Sequence, residues 1–329
     1  MRRVTLPRPG HADLVGMLKY DRSDARDVLE RASARETAAR VAAGAIARRL
    51  LAEFGIRVDS HVVRIGSADA AAPDPLPDDL NALADLSPVR CLDPEAGEAM
   101  VAAIDAAGHE GDSLGGVFEV IARGLPLGLG SHVSWDRRLG ARVAGALMSI
   151  HAMKGVEIGM GFAAAAARGS DVHDEIEADV DRARTGGYRR RRHNAGGLEG
   201  GISTGDPLVA RVAMKPLSSL RRPLDSVDTQ TGRPAKAIRE RSDVCAVPAA
   251  GIVGEAMLAL VLADAMCEKF GGDSLGEMHD NYEAYLRRIN RRKESVEGAA
   301  APDADAPDDA MADDAASDAA SDDAAPGKT

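Results

Sequence analysis

The chain has 329 residues and a formal net charge of −11, with 45% hydrophobic and 3% aromatic residues. Residues 294–329 contain eleven carboxylates and one lysine, a net charge of −10, which leaves −1 for residues 1–293. A body this close to neutral lacks the strongly basic balance of a typical nucleic-acid-binding protein. The three cysteines are widely spaced and form no C-x-x-C pair, which disfavours a disulfide framework or a zinc site and favours a reducing, cytoplasmic location.

The segment 294–329 is rich in Ala and Asp, has low complexity and shows no hydrophobic period. Such a segment cannot bury enough apolar surface to offset the entropy lost on ordering. We therefore expect one folded domain over 1–293 and a disordered acidic tail over 294–329. A solvating role is favoured for the tail over an interaction role.

The first predicted element is a helix over 34–53. It follows a capping box at Ser33-Ala34-Arg35-Glu36, in which the Ser33 hydroxyl accepts from the third helical amide and Glu36 reaches back to the cap. Alternation predicts a strand over 56–65. A proline-rich linker or surface excursion is predicted over 67–88 and a short helix over 95–107.

Further along the chain we predict a strand over 117–126, a helix over 135–153, a strand from 156, an Arg/Gly-rich loop over 182–201 and a strand over 208–214. Pro248 opens a long Ala-rich helix that ends at Gly271. Its apolar run is interrupted by Glu255 and Asp264, which indicates a buried helix rather than a membrane span. Helices and strands alternate unevenly and no G-x-G-x-x-G follows a strand, so the class is α+β and not Rossmann.

A histidine near the start stands in the motif Arg8-Pro9-Gly10-His11-Ala12-Asp13. The residue before a proline avoids helical backbone, so this segment begins as a loop. Histidine is the commonest general acid or base in enzymes, although a single histidine on a surface is more often only solvated.

Three further segments offer groups that suit an anion. Arg31, Ser33 and Arg35 lie at the start of the helix predicted over 34–53, where free amides and the helix dipole favour negative charge. A glycine-dense loop over 196–205 permits close backbone approach, and Lys215-Pro216-Leu217-Ser218-Ser219 offers a cation and two hydroxyls. Each segment taken alone also suits an ordinary cap, turn or loop.

Together these segments resemble chorismate synthase, the flavin-dependent lyase of the shikimate pathway. The resemblance runs from the Arg8–Asp13 motif through the segment 31–45 to Arg241-Ser242-Asp243, which is most of the chain. It implies a sandwich of long helices between antiparallel sheets, usually in a homotetramer. The family normally opens with a Gly-Glu-Ser-His-Gly motif and an arginine-rich segment before the position of Arg8. We therefore expect an N-terminally incomplete member of that fold.

The resemblance also implies a reaction, the anti-1,4-elimination of phosphate from 5-enolpyruvylshikimate 3-phosphate to give chorismate. This reaction needs reduced FMN (FMNH2) without net redox change. No flavin reductase domain is recognisable, so NADPH is expected only as an external source of reducing equivalents. Neither a metal, a nucleic acid nor a membrane is an expected partner.

Site residues follow from the same resemblance. His11, which keeps the reduced cofactor protonated, and Asp243, which works beside the flavin N5, are the implied catalytic residues. The implied FMN contacts are Arg31, Ala32, Ser33, His151, Ala152, Gly200, Lys215, Pro216, Leu217, Ser218, Ser219 and Arg241. The implied substrate contacts are Arg8, Arg35 and Arg241.

Two alternatives stay open at this point. The chain could be a truncated remnant that folds and binds flavin without turnover. It could also bind nucleic acid through the arginine run 189–192, although one short basic run in a near-neutral body is weak evidence for nucleic-acid binding.

Deletion of residues 294–329 tests the domain boundary. Because the tail lacks core-forming residues, we expect its removal to change the formal charge by +10 and to leave the melting temperature and any activity nearly unchanged. Thermal unfolding of both forms measures this. A melting temperature lowered by many degrees would show instead that the tail packs on the body.

Overall fold

The structure is a computed structural model that describes residues 3–71, 73–179 and 181–297. For residues 291–297 it describes the backbone alone. Residues up to Asn290 form one compact unit. The helices are α1 Asp13–Lys19, α2 Arg26–Leu29, α3 Thr37–Glu53, α4 Leu80–Ala84, α5 Pro94–Glu110, α6 Leu139–Met148, α7 Gly169–Val172, α8 Val247–Phe270 and α9 Leu275–Glu297. The strands are β1 Arg57–Ile65, β2 Ala68–Asp69, β3 Gly116–Arg123, β4 Met153–Ile158, β5 Ile176–Ala178, β6 Tyr188–Arg190, β7 Leu198–Glu199, β8 Ile202–Ser203, β9 Leu208–Met214, β10 Asp225–Val227 and β11 Pro234–Lys236.

One antiparallel sheet organises the described part of the chain. Its strand order is β2-β1-β3-β9-β4, and three two-stranded hairpins, β5–β6, β7–β8 and β10–β11, lie outside it. The register of β3 against β9 runs from Gly116↔Met214 to Ala122↔Leu208. Helices combined with antiparallel sheets confirm the predicted α+β class.

The core lies between one face of this sheet and the helix α8. Gly251 and Gly254 let α8 approach closely, because a Cβ on Gly254 would come within 2.8 Å of the Phe118 ring. Helix α3 crosses α8 at Gly44, where an added Cβ would come within 2.4 Å of the Ala256 Cβ. By length and composition α8 could cross a membrane, yet 67% of its most apolar window is buried inside the protein. The predicted buried helix is therefore confirmed.

The helix predicted over 34–53 is confirmed, but its capping box is wrong. The segment opens with a 3₁₀ turn at Ala34–Glu36, and the Ser33 hydroxyl accepts from the Arg35 amide at 3.3 Å rather than from the third helical amide. The tighter 3₁₀ turn brings the second amide to the cap. The Glu36 carboxylate pairs with Arg40 at 2.7 Å instead of reaching back.

The strand predicted over 56–65 is confirmed as β1, although alternation is not its pattern. Six consecutive residues of β1 are buried, because α8 contacts one face and α4 contacts the other. Helix α4 lies inside the segment predicted as a linker, where its fully buried Leu80 and Ala84 pack on Ile121. The linker prediction is thus wrong for residues 80–84, since a short helix between prolines carries no clear period.

Two other boundaries need correction. The helix predicted over 135–153 ends at Met148, and Met153 already begins β4. The backbone of Ala152 has φ +67°, a left-handed conformation that no α-helix continues through. The loop predicted over 182–201 contains β6 and β7, each paired in a hairpin.

Helix α9 and the hairpin β10–β11 are elements that the sequence analysis did not predict. Since α9 reaches Glu297, the predicted tail boundary at 294 falls inside a helix. The rest of the tail lies outside the described residues.

A pair of helical glycines tests the α3–α8 crossing. At Gly44, alanine forces its Cβ against Ala256, so we expect Gly44→Ala to lower the free energy of unfolding by about 1–3 kcal/mol. At Gly145 in α6 an added Cβ meets nothing within 4 Å, so Gly145→Ala should raise that free energy by about 0.5–1 kcal/mol. Urea denaturation measures both. Equal effects of the two substitutions would contradict the tight crossing.

Candidate active site

The segment before His11 is fixed by the hairpin β10–β11 and the residues that follow it. The Thr5 carbonyl accepts from the Thr229 amide at 2.9 Å, and the Leu6 carbonyl accepts from the Ile238 amide at 3.0 Å. The Ser226 hydroxyl donates to the Pro7 carbonyl at 2.6 Å. These bonds hold the backbone that leads into Arg8.

Arg8, His11, Asp13 and Ser219 form a hydrogen-bonded group that we call the Asp13 cluster. Arg8 donates through Nε to Asp13 Oδ2 at 2.8 Å and through Nη2 to Oδ1 at 3.0 Å. It also donates through Nη1 to the Ser219 hydroxyl at 2.8 Å. His11 Nδ1 lies 2.5 Å from Asp13 Oδ1. The cluster therefore joins the start of α1 to the loop that follows β9.

Burial and hydrogen bonding oppose each other at Asp13, which is fully buried. Burial alone would raise the pKa of its carboxyl, but the hydrogen bonds from His11 and Arg8 together outweigh burial and hold that pKa well below its usual range. Asp13 is therefore ionised at neutral pH and paired with Arg8. The side chain of His11 keeps 21% exposure, so its imidazole can reach a ligand.

The loop after β9 places Lys215 against the turn that precedes His11. The Lys215 Nζ lies 3.8 Å from the position that a Cβ on Gly10 would take. The Lys215 amide donates to the Ala152 carbonyl at 3.0 Å. Burial, helped by the charge of Lys154, lowers the pKa of the Lys215 ammonium. Among the described residues Lys215 has no carboxylate partner, so its charge is available to an anion.

His151 lies between the starts of α1 and α3. Its Nδ1 is 3.4 Å from Glu36 Oε1. Burial lowers the pKa of His151, Glu36 opposes that shift, and the nearby charges of Arg40, His11 and Arg31 lower it further. Within the described residues the buried His151 Nδ1 has no hydrogen-bond partner.

The other residues predicted before α3 divide between a cleft and the open surface. Arg31 and Ala32 line a cleft of about 580 Å³ that reaches Ala12 and Lys19, next to the Asp13 cluster. Ser33 caps the 3₁₀ turn. Arg35 is 80% exposed and pairs with Glu30 at 2.8 Å.

Within the described residues, Gly200 and the Arg241–Asp243 segment make no hydrogen bond to the Asp13 cluster. Gly200 forms the turn of the β7–β8 hairpin, where an added Cβ would lie 4.0 Å from the Cβ of His132. Arg241 and Asp243 line a second cleft, of about 660 Å³, together with Arg221 and Arg239.

The turn before β3 forms hydrogen bonds both to the loop that carries Ser219 and to the segment that lines the second cleft. Ser113 donates through its hydroxyl to the Leu217 carbonyl at 2.6 Å, and the Leu114 amide donates to the Val244 carbonyl at 2.8 Å. The loops 215–219 and 241–245 therefore flank the same turn before β3. No direct bond joins Asp243 to His11 in the described residues.

Some members of these sites had no role in the sequence analysis. Asp13 was only part of the His11 motif, and Arg221 and Arg239 were not singled out. An aspartate at the first position of a helix, two residues after a candidate histidine, is the signal that could have found Asp13.

Three of the four arginines in the run 189–192 pair with nearby carboxylates, and Arg192 donates to backbone carbonyls of residues 170–173. Arg189 and Arg191 pair with Glu177, and Arg190 pairs with Glu199 at 2.7 Å. Surface pairs of this kind contribute little stability, but they neutralise the charge that a phosphate backbone would need.

Comparisons with known proteins agree on one family. A sequence profile described as chorismate synthase matches residues 2–267. A chorismate synthase of Acidothermus cellulolyticus is 62% identical over 285 residues, which are 86% of this chain and 71% of that protein. A chorismate synthase of Desulforudis audaxviator is 59% identical over 292 residues, 89% of this chain and 74% of that protein. A solved structure titled as the crystal structure of chorismate synthase superposes with a TM-score of 0.73 at 46% identity, over 85% of this chain and 77% of that one.

Removal of the Arg8 charge tests the Asp13 cluster. Arg8→Leu leaves a buried carboxylate without its cation, so we expect the free energy of unfolding at pH 7 to fall by about 3–5 kcal/mol. In the wild type the pKa of Asp13 is lowered, so its contribution is present above the unfolded value near 3.8 and is lost as pH falls further. The loss caused by Arg8→Leu should therefore be smaller at about pH 3 than at pH 7.

The matched control is Arg35→Leu, which removes an exposed arginine. Its effect should stay within about 1 kcal/mol at both pH values. Urea denaturation at the two pH values measures the four differences. A loss for Arg8→Leu no larger than that for Arg35→Leu would contradict the structural role of the cluster.

Proposed function

We propose that this chain, which belongs to the chorismate synthase family, converts 5-enolpyruvylshikimate 3-phosphate to chorismate by anti-1,4-elimination of phosphate. In this proposal the protein is a lyase of the shikimate pathway that uses reduced FMN. The observation that carries the proposal is the convergence of Arg8, Lys215 and Ser219 on the turn that holds His11. Cations and a partly exposed histidine at one place suit a substrate that carries a phosphate.

The residues at this place fit a phosphorylated flavin. Lys215 supplies a half-buried ammonium without a carboxylate partner among the described residues, and Gly10 leaves room beside it. His151 lies near this place, because the charges of His11 and Arg31 both act on its pKa. The residues that would hold FMN are those that the resemblance implies: Arg31–Ser33, His151, Ala152, Gly200, Lys215–Ser219 and Arg241. When bound, reduced FMN supplies electron density that stabilises the electron-poor ring as phosphate leaves.

The chain's own residues have separate tasks in this proposal. His11 holds a proton at its imidazole, and Arg8 binds an anionic group of the substrate while it stays paired with Asp13. Arg241 binds a second anionic group, and Arg221 and Arg239 add positive charge to the cleft that Asp243 lines. Asp243 is exposed there and can accept a proton. Guanidinium groups suit phosphates and carboxylates because they bind them with two parallel hydrogen bonds.

The proposal includes the homotetramer and the cytoplasmic location that the resemblance implies. Trp135 and Phe162 are large apolar side chains that are mostly exposed, and assembly with further copies would cover such surface. Cys91, Cys245 and Cys267 are all free thiols, in keeping with a reducing compartment. NADPH enters only as an external reductant of the flavin.

Two measurements test the reaction and the cofactor. Release of phosphate from 5-enolpyruvylshikimate 3-phosphate is followed anaerobically with chemically reduced FMN, and oxidised FMN fluorescence is titrated with protein and substrate. We expect phosphate release and fluorescence quenching. Quenching without phosphate release would support the alternative of a flavin-binding remnant. The absence of both phosphate release and fluorescence quenching would overturn the proposal.

The cofactor contact is tested at Lys215. We expect Lys215→Ala to raise the Kd for FMN about ten- to a hundred-fold, because a charge-assisted hydrogen bond contributes about 1.5–3 kcal/mol. The control is Lys236→Ala, an exposed lysine in β11 that pairs with Asp225 and should leave the Kd unchanged. Equal Kd values for the two variants would remove Lys215 from the FMN site.

A further inference from the structure

Both carboxylate oxygens of Asp13 are fully used within the protein. Oδ2 accepts from the Arg8 backbone amide at 3.0 Å and from Arg8 Nε at 2.8 Å. Oδ1 accepts from Arg8 Nη2 at 3.0 Å and lies 2.5 Å from His11 Nδ1. Since Asp13 has no solvent exposure, no water competes for these positions. The carboxylate is therefore held at a fixed place beside one nitrogen of the imidazole.

The surroundings of His11 Nδ1 determine where the imidazole proton lies. A neutral imidazole carries one N–H, and an ionised carboxylate can only accept. If Nδ1 carried no proton, two hydrogen-bond acceptors, Nδ1 and Oδ1, would face each other at 2.5 Å. Such a contact beside a buried carboxylate is costly. Arg8 Nη2 donates one N–H to Oδ1 and lies 3.1 Å from Nδ1, but a second N–H directed at Nδ1 would still leave Nδ1 and Oδ1 as two acceptors 2.5 Å apart. The proton therefore belongs on Nδ1.

We propose that Asp13 is a positioning residue that fixes the His11 imidazole with its proton on Nδ1, which makes Nε2 the nitrogen that exchanges a proton with the ligand. The proposal deepens the function given above and rests on the catalytic role of His11. Arg8 balances the charge of Asp13, and Ser219 fixes the far end of Arg8 at 2.8 Å. A carboxylate that orients a histidine through its second nitrogen is a device that enzymes and metal sites both use.

A purely structural ion pair between Arg8 and Asp13 is the competing explanation. It would also make Asp13→Asn less stable, so stability alone does not separate the two. Two observations distinguish the explanations. One is the tautomer of His11, and the other is whether the loss of kcat caused by Asp13→Asn requires His11.

The first experiment is ¹⁵N NMR of the His11 ring in the full chain, which needs neither cofactor nor turnover. For the neutral ring of the wild type we expect the Nδ1–H tautomer, with a bare Nε2. In Asp13→Asn the amide can donate as well as accept, so we expect a mixture of both tautomers. Asp13→Glu keeps the carboxylate and should restore the Nδ1–H form. A wild-type ring protonated on Nε2 would overturn the proposal even if Asp13→Asn failed to fold.

The second experiment is a double-mutant cycle on turnover of 5-enolpyruvylshikimate 3-phosphate. We expect Asp13→Asn to lower kcat about ten- to a hundred-fold with little change in KM. In the His11→Gln background the same substitution should lower kcat no further, because Asp13 acts through His11. Equal losses in both backgrounds would overturn the proposal. Full kcat in His11→Gln would instead remove the catalytic role of His11, and the NMR result would still decide whether Asp13 holds the ring.

Discussion

The close contact of α8 with the sheet and with α3 is the constraint on which the positions of the candidate residues at the ends of α3, α6 and α8 depend. Glycines on both sides of α8 bring backbone against side chain, so the helices and the sheet can meet in only one arrangement. Arg31 and Ser33 precede the start of α3, His151 follows the end of α6, and Asp243 precedes the start of α8. Each of these residues is placed by a helix that packs on the same core.

The pKa values of buried carboxyls in this protein shift in opposite directions, and the balance between burial and hydrogen-bond donors sets the direction. Glu255 lies on α8 against Ser60, Arg48 and Arg90, and burial there raises its pKa despite these partners. At Asp13 and at Glu119, which accepts from Arg211 and lies beside His61, hydrogen bonds outweigh burial and lower the pKa. The same low-dielectric interior thus accompanies a raised pKa at one carboxyl and a lowered pKa at two others.

Local signals were sufficient where an element carried its own pattern. The periodic helix α3, the Pro-led helix α8 and the apolar strand β9 were all predicted from the sequence. The short helix α4 was not, because its two core contacts, Leu80 and Ala84, stand among prolines. In the candidate active site, the grouping of His11 with Lys215 and Ser219 was implied only by resemblance, since these residues are about 200 positions apart. The hold of Asp13 on His11 is a tertiary contact that no spacing in the chain specifies.

The bond between Arg8 and Ser219 closes a loop of 211 residues. At a synthesis rate of about 5–20 residues per second, the Ser219 codon is read roughly 10–40 s after that of Arg8. Over that interval the segment that leads to His11 has neither Ser219 nor the β10–β11 hairpin to bind. The Arg8–Ser219 bond of the candidate site can therefore form only late in synthesis, after the sheet strands β1 and β3 have been made.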